Sequence, residues 1–279
     1  MIFLYYLFLF IIGSAIGSFL GVVVDRTISK ESIWKGRSHC DHCRHLLHPW
    51  DLIPIFSFLL LGGKCRYCHK KLSWFYPIIE FCTGILFVLI SYEMYGISLS
   101  FLLQPAYLFL LFYYFILSGA FIVIFFTDLR YGIIPFTVVV VALLVTILWY
   151  FIYPLLSFTS AEMLNMGFQT NILIALLSAL GAGGFFLLIF LLTKGRGMGF
   201  GDVVYAFLMG FSLGFPKVLL GLYIAFVTGA IISLLLIAMK KKKFRGGTIP
   251  FGPFLVFGTL VSIFWGTMII NALLEYLIK

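Results

Sequence analysis

Charged residues are scarce in this chain of 279 residues: Asp, Glu, Lys and Arg make up 10% of it, whereas 63% is hydrophobic. A soluble domain carries about a quarter charged residues, because its surface faces water. The shortage excludes a soluble globular protein and predicts an outer surface that faces lipid. No basic segment precedes the first apolar run, 2–24, so we expect that run to be a membrane span and not a cleaved signal peptide.

The chain also lacks the glycine-rich loop typical of nucleotide-binding enzymes, and its net charge of +9 is concentrated in a few loops. All but two of the 19 Lys and Arg residues lie in four segments, 26–71, 130, 194–196 and 240–245, the exceptions being Lys217 and Lys279. This alternation follows the positive-inside rule and predicts an N terminus outside and basic loops in the cytoplasm. Membrane topology therefore accounts for the charge, and we expect no nucleic-acid partner.

Eight apolar runs separate these loops: 2–24, 74–95, 101–126, 133–156, 171–193, 203–215, 216–239 and 254–278. They predict an all-α polytopic membrane protein with about eight transmembrane helices. The sixth run has only 13 residues, and a helix of that length extends about 20 Å, whereas the hydrocarbon core is about 30 Å thick. We therefore expect Asp202, at its start, to lie inside the membrane boundary, and Lys217 to reach the outer surface.

The one long polar segment, 25–73, contains four of the five cysteines. They form the pairs Cys40-x2-Cys43 and Cys65-x2-Cys68, separated by 21 residues. Two such knuckles offer four thiolates to a tetrahedral zinc ion, and a segment with so few apolar residues needs metal binding to fold. The alternative is a disulfide or redox role, against which the predicted cytoplasmic location argues. We expect a structural zinc site.

Two aspartates stand next to apolar runs on the predicted cytoplasmic side. Asp128 closes the third run and Asp202 opens the sixth, after Gly199-Phe-Gly201. Glycine leaves room for an extended peptide to approach. Two carboxylates at one depth can act as an aspartic protease, in which one activates water and the other protonates the scissile carbonyl. The other interpretation is that each aspartate is an interfacial residue or a helix cap.

Together these motifs resemble the type IV prepilin peptidases, membrane aspartic proteases with a Gly-x-Gly-Asp motif. The matching segments follow the family's order and are Gly17-Ser-Phe-Leu20, the two cysteine pairs, Asp51-Leu-Ile-Pro54, Tyr76-Pro-Ile-Ile-Glu80, Asp128 to Pro135, Gly199-Phe-Gly-Asp202 and Ile249-Pro-Phe-Gly-Pro253. Two positions depart from the family's pattern. Phe136 stands where the family usually has Asp, and Gly21 where it often has Asn.

The resemblance implies removal of the basic leader of prepilins or pseudopilins after a glycine, at the cytoplasmic face of the inner membrane, followed by S-adenosylmethionine-dependent N-methylation. Partners would be these precursors and membrane lipids. It implies a first span (1–24), a zinc-knuckle domain (25–73) and a peptidase domain (74–279). The implied site residues are Asp128 and Asp202 for catalysis, Cys40, Cys43, Cys65 and Cys68 for zinc, and Gly199, Gly201, Glu80, Pro250 and Gly252 for substrate binding or support of the active site.

Two other functions are compatible with paired membrane aspartates. One is an intramembrane protease of the signal-peptide-peptidase type, which shares Gly-x-Gly-Asp but also carries a Pro-Ala-Leu motif that this chain lacks. The other is a transporter in which the two carboxylates relay protons, a function that leaves the cysteine pairs unexplained.

Overall fold

The computed structural model describes residues 2–29, 31–32, 38–40, 42–95, 105–156, 171–239 and 249–278. Within them the helices are α1 Ile2–Ser29, α2 Phe56–Leu60, α3 Phe75–Tyr95, α4 Pro105–Tyr131, α5 Phe136–Ile152, α6 Ile172–Leu192, α7 Phe200–Leu213, α8 Lys217–Ala238 and α9 Gly252–Ile278. Short 3-10 turns cover Pro49–Leu52 and Tyr153–Leu155. In this part of the chain β pairing is confined to two isolated bridges. The basic run 240–245 lies outside the described residues.

Seven of these helices are long and apolar enough to cross a membrane, all except α2 and α7. The seven confirm an all-α, multi-pass membrane protein. Helix α7 corresponds to the sixth predicted span and has 14 residues, which extend about 21 Å. It is too short for a hydrocarbon core of about 30 Å. The described residues therefore contain seven full-length spans and one short apolar helix.

The chain divides into two compact units, 1–123 and 124–279, and α4 runs through the division. In the first unit α1 packs closely along α3, because small residues line the contact. A Cβ atom at Gly17 would lie 2.8 Å from Cα of Glu80, and one at Gly13 would lie 2.9 Å from Cα of Gly84. Such close approach of two backbones is how helices associate in lipid.

In the second unit α7 is an interior helix that contacts α5, α6, α8 and α9. Ten of its fourteen residues are buried. Gly210 faces the backbone of Ser178 and Ala179 in α6, with no space for a side chain between them. On another side the Tyr205 hydroxyl donates a buried hydrogen bond of 3.0 Å to Oγ1 of Thr259 in α9. Contacts with protein therefore stabilise a helix that is too short to span the bilayer.

Lys217 does not reach the surface as the sequence suggested; it is only 8% exposed. Its side chain lies over Gly266 of α9, where a Cβ atom would come within 3.3 Å of the lysine Cγ. The prediction was wrong because it assumed that the first turn of α8 faces lipid and water. The missing side chain at Gly266 leaves a groove in which the lysine methylenes pack.

Candidate active site and cysteine module

Asp128 lies in the last turn of α4 and is buried, with 5% of its surface exposed. The helix ends soon afterwards because Gly132 adopts a positive φ of 67° and donates its N–H to the carbonyl oxygen of Asp128 at 2.8 Å. This is a common way for a helix to stop. The chain then enters α5 after Pro135. Asp128 is thereby held in the interior at the end of a span.

The Asp128 carboxylate is held by the start of α9. The backbone N–H of Gly252 donates to its Oδ2 at 2.8 Å. The first N–H groups of a helix have no partner within that helix, and they favour an anion. A Cβ atom at Gly252 would lie 2.6 Å from the same oxygen, so any other residue would have to displace the carboxylate or the turn. Pro250 stands two residues earlier in the same turn and is partly exposed.

Phenylalanine packing fixes the turn that carries Gly252. The ring of Phe251 lies 6.2 Å from Phe186 of α6, 5.2 Å from Phe226 of α8 and 6.2 Å from Phe254 of α9, measured between centroids. Gly229 of α8 makes room for this cluster, since a Cβ atom there would lie 3.3 Å from both Phe251 and Phe254. Side chains from three helices therefore position the turn.

Asp202 is the third residue of α7 and is 7% exposed. Its Oδ2 accepts the N–H of Gly199, the N-cap residue, at 3.2 Å. An acidic residue at this position commonly reaches back to the N-cap in this way. Asp202 therefore caps α7 from its third position, although Gly199 is the N-cap residue itself. Asp202 also lies near enough to Asp128 for the two carboxylates to interact electrostatically. The structure thus brings both predicted aspartates into one site.

Ile134 connects the two parts of this site. A Cβ atom at Gly201 would lie 2.8 Å from Cβ of Ile134, and one at Gly252 would lie 3.1 Å from its Cδ1. The starts of α7 and α9 therefore pack against the same side chain. Within the described ranges neither aspartate forms an ion pair. Aspartic proteases use two neighbouring carboxyl groups, one ionised and one protonated.

Glu80 belongs to the other unit. It is buried in the second turn of α3, and its Oε2 accepts the backbone N–H of Ile55 at 2.7 Å. Ile55 is the N-cap residue of α2. This contact joins the polar segment between α1 and α3 to the side of α3. The predicted role of Glu80 in substrate binding or support of the active site stays a prediction.

The four paired cysteines converge as predicted. All four are free thiols, their sulfur atoms lie within 4.8 Å of one another, and Cys40 and Cys65 are buried. Sγ of Cys40 and Sγ of Cys68 are 3.9 Å apart. In a tetrahedral four-sulfur zinc site, with Zn–S bonds of about 2.3 Å, the sulfurs lie about 3.8 Å apart. The donor set and its dimensions fit zinc.

The two knuckles repeat the same backbone hydrogen bonds. In each, the N–H of the first cysteine donates to the carbonyl five residues later, at 3.0 Å from Cys40 to His45 and 2.9 Å from Cys65 to Lys70. Arg44 and His69, four residues after those cysteines, both have a φ of 55°. Burial opposes ionisation of Cys65, but hydrogen bonds from the backbone N–H groups of Cys68 and Tyr67 hold the pKa of its thiol at about 7. The two knuckles thus share one backbone conformation around their cysteines.

Asp51 opens the matching segment Asp51-Leu-Ile-Pro54, but no role for it follows from the sequence, and the structure shows a structural one. It receives hydrogen bonds from the Arg66 Nε at 2.7 Å, the Tyr67 hydroxyl at 3.0 Å and the His48 N–H at 3.1 Å. Burial raises the pKa of Asp51, but hydrogen bonds from His48, Tyr67 and Arg66 lower it. Together they hold the pKa of Asp51 below its ordinary value. Asp51 therefore fastens the second knuckle to the 3-10 turn that precedes α2.

Two family models match this chain. The Bacterial Peptidase A24 N-terminal domain matches residues 11–94, and the Type IV leader peptidase family matches residues 115–234. The chain is 31% identical to the prepilin leader peptidase/N-methyltransferase of Legionella pneumophila, over 88% of this chain and 78% of that protein. It is 30% identical to the protein of the same name from Bacillus subtilis, over 94% and 95% of the two chains. No solved structure gives a significant match.

The matched ranges contain the groups that the structure brings together. The first family match contains all four converging cysteines, and the second contains both buried aspartates. The similarity to the Legionella and Bacillus proteins extends over most of each chain. By its helices, its paired carboxylates and its sequence, this chain belongs to the type IV leader peptidase family.

Proposed function

We propose that this chain removes the basic leader peptides of type IV prepilins or pseudopilins, and that it then methylates the new N terminus with S-adenosylmethionine as the methyl donor. Both activities appear in the names of its relatives. The observation that carries the peptidase assignment is the buried pair Asp128 and Asp202, which lies in one unit of a multi-pass membrane protein.

The hydrogen bonds leave each carboxylate with one oxygen that can exchange a proton during hydrolysis. Backbone N–H groups occupy Oδ2 of Asp128 and Oδ2 of Asp202, and among the described residues neither Oδ1 has a hydrogen bond. The ionised member of the pair takes a proton from water as the water oxygen bonds to the scissile carbonyl carbon. The protonated member gives its proton to the carbonyl oxygen. Collapse of this tetrahedral intermediate breaks the C–N bond: the carboxyl group that took the proton from water gives it to the leaving amine, and the other carboxylate takes a proton from the diol.

The surroundings of Asp202 suit a substrate that is itself a membrane helix. Gly199 puts no side chain between the start of α7 and an approaching peptide, whereas Gly201 supports the site by making room for Ile134. Because α7 is short and interior, we place Asp202 inside the membrane boundary, in a cavity that opens to the cytoplasm. The enzyme would then cut where the basic leader leaves the lipid.

In this proposal the cysteine module, residues 25–73, has a structural role and not a catalytic one. Cys40, Cys43, Cys65 and Cys68 would hold zinc, which supplies folding free energy to the domain 25–73 and takes part in no reaction step. The peptidase domain comprises residues 74–279. The basic loops would face the cytoplasm, with the N terminus outside, in the inner membrane. The partners would be membrane lipids and the precursor proteins. We expect no nucleic-acid partner.

The test is cleavage of a synthetic precursor by the purified protein in lipid. The peptide carries a basic leader, a glycine and an apolar segment, and mass spectrometry identifies both products with and without S-adenosylmethionine. We expect one cut after the glycine and, with the donor, one added methyl group on the apolar product. A control peptide has the apolar helix without the leader. Cutting of that control inside the helix would instead support a protease of the signal-peptide-peptidase type, and cutting of neither peptide would favour the transporter.

A further inference from the structure

Helix α2 presents apolar side chains on two opposite sides. On one side Phe58 is 7% exposed and packs edge-on against Trp74, with 4.8 Å between ring centroids. On the other side Phe56, Leu59 and Leu60 are 58%, 60% and 71% exposed. A soluble module rarely exposes contiguous large apolar side chains unless they meet a partner. The question is what covers this outer side.

The hydrogen bond between Tyr76 and Asp25 marks the edge of the apolar layer. The hydroxyl of Tyr76, in the first turn of α3, donates to Oδ2 of Asp25 in α1 at 2.8 Å. Asp25 is the first charged residue of the chain, so the apolar part of α1 ends at this level. Helix α3 has 21 residues and extends about 31 Å, which matches the hydrocarbon thickness when its first turn lies at the boundary.

The contact between Glu80 and Ile55 places α2 at the same level. Glu80 lies one turn beyond Tyr76, about 6 Å further into the apolar layer. Side chains on a helix tilt toward its N terminus, so the Glu80 carboxylate lies between the levels of Tyr76 and Glu80. Its Oε2 is 2.7 Å from the N–H of Ile55, the N-cap residue of α2. Helix α2 therefore begins at the membrane edge and not out in the water.

We propose that the outer side of α2 lies in the lipid headgroup and acyl boundary, so that Phe56, Leu59 and Leu60 anchor the cysteine module to the bilayer surface. Trp50, in the turn that precedes α2, is also 73% exposed, and tryptophan favours this layer. Exposed Lys64 follows α2 in the chain, and its charge complements anionic phospholipids. The occupant of this surface is the membrane that α1 and α3 already cross, and the proposal is independent of the peptidase function.

Photo-crosslinking of the full-length protein in its membrane tests this proposal. Benzoylphenylalanine replaces Phe56, which it resembles in shape, and separately Leu60. Exposed His69 in the second knuckle is the matched control within the module, and Leu188, an exposed residue of the span α6, is the positive control for lipid. After irradiation, mass spectrometry counts phospholipid and protein adducts. We expect lipid adducts at positions 56, 60 and 188 and none at position 69.

Two results would overturn the proposal. Protein adducts without lipid adducts at positions 56 and 60, while position 188 reacts with lipid, would assign the surface to a protein partner. Lipid adducts at position 69 as frequent as at position 56 would mean that α2 contacts lipid no more than the rest of the module does. If the substitution at Leu60 prevents folding, the same probe at Leu59 repeats the measurement on the same surface.

Discussion

Gly252 acts on the candidate catalytic pair through its N–H group and through the space that it leaves. The N–H holds Oδ2 of Asp128, and the missing side chain lets the start of α9 approach that carboxylate. The two residues are 124 positions apart, so their contact depends on the phenylalanine cluster around Phe251. A family motif could point to Gly252, but no local pattern in the sequence reveals its partner.

We predict that Gly252→Ala removes most of the cleavage activity. The new Cβ atom would lie 2.6 Å from Oδ2 of Asp128 and must displace either the carboxylate or the turn. A displacement of about 1 Å in a catalytic group costs on the order of 100-fold in rate. Steady-state kinetics with a precursor peptide should show the loss mainly in kcat. Gly184→Ala in α6 is the control, since a Cβ atom there meets nothing within 4 Å. Equal kcat values for the two variants would contradict the assigned role.

Individual residues differ in how well the sequence reveals them. Asp128 and Asp202 stand out because they border apolar runs in a chain with only ten acidic residues. Asp51 lies in a family-matching segment, but nothing in that polar loop reveals that it receives three hydrogen bonds from residues on either side of α2. Lys217 is misread because the glycine that makes room for it lies 49 positions further along the chain.

At the level of elements, the two knuckles are the part most completely encoded in local sequence. Each knuckle places its two sulfur atoms by short-range hydrogen bonds and one residue of positive φ. The Cys-x-x-Cys spacing alone is therefore enough to predict the knuckle. The contact of the module with Glu80 is long-range and did not follow from that spacing.

We predict about one zinc ion per chain, and its loss in a Cys40→Ser/Cys65→Ser variant. These two sulfurs are the buried members of the cluster, so their removal leaves two ligands at most. Metal analysis of gently purified protein is the measurement. Cys82→Ser, outside the cluster, should keep the metal. Absence of zinc from the wild type, or a disulfide between Cys40 and Cys65 in cells, would count against the site.

Helix α7 shows what a sequence can and cannot say about an element. Its shortness is visible in the run 203–215, and the structure gives 14 residues, from Phe200 to Leu213. Its stability is not visible, because it comes from close contacts such as Gly210 against α6 and Tyr205 against Thr259. These partners are distant in sequence and have no pattern of their own.

For the molecule as a whole, composition is enough to give the class. A chain with 63% hydrophobic and 10% charged residues must lie in lipid, and the seven full-length spans agree. The order of the helices follows from the apolar runs. The division into units at residues 123 and 124 does not, since it falls within α4.

We expect the two activities to be separable, because hydrolysis and methyl transfer require no common catalytic group. An Asp202→Asn enzyme that receives a pre-cleaved peptide and S-adenosylmethionine should still methylate it. Transfer of a labelled methyl group is the readout, and the wild type under the same conditions is the reference. If the wild type methylates and the variant does not, the two reactions share Asp202. If the wild type fails to methylate, the protein is a peptidase alone.

Cleavage of a precursor by Asp128→Asn and Asp202→Asn variants tests the central claim most directly. Asparagine keeps the shape of the side chain but cannot exchange the proton that hydrolysis requires. Glu93→Gln, which changes an exposed carboxylate of α3 in the other unit, is the matched control. Mass spectrometry of the peptide products should show no cleavage by either active-site variant, although both remain folded in the membrane, and cleavage by the control. Substantial turnover by Asp128→Asn or Asp202→Asn would contradict the two-aspartate mechanism.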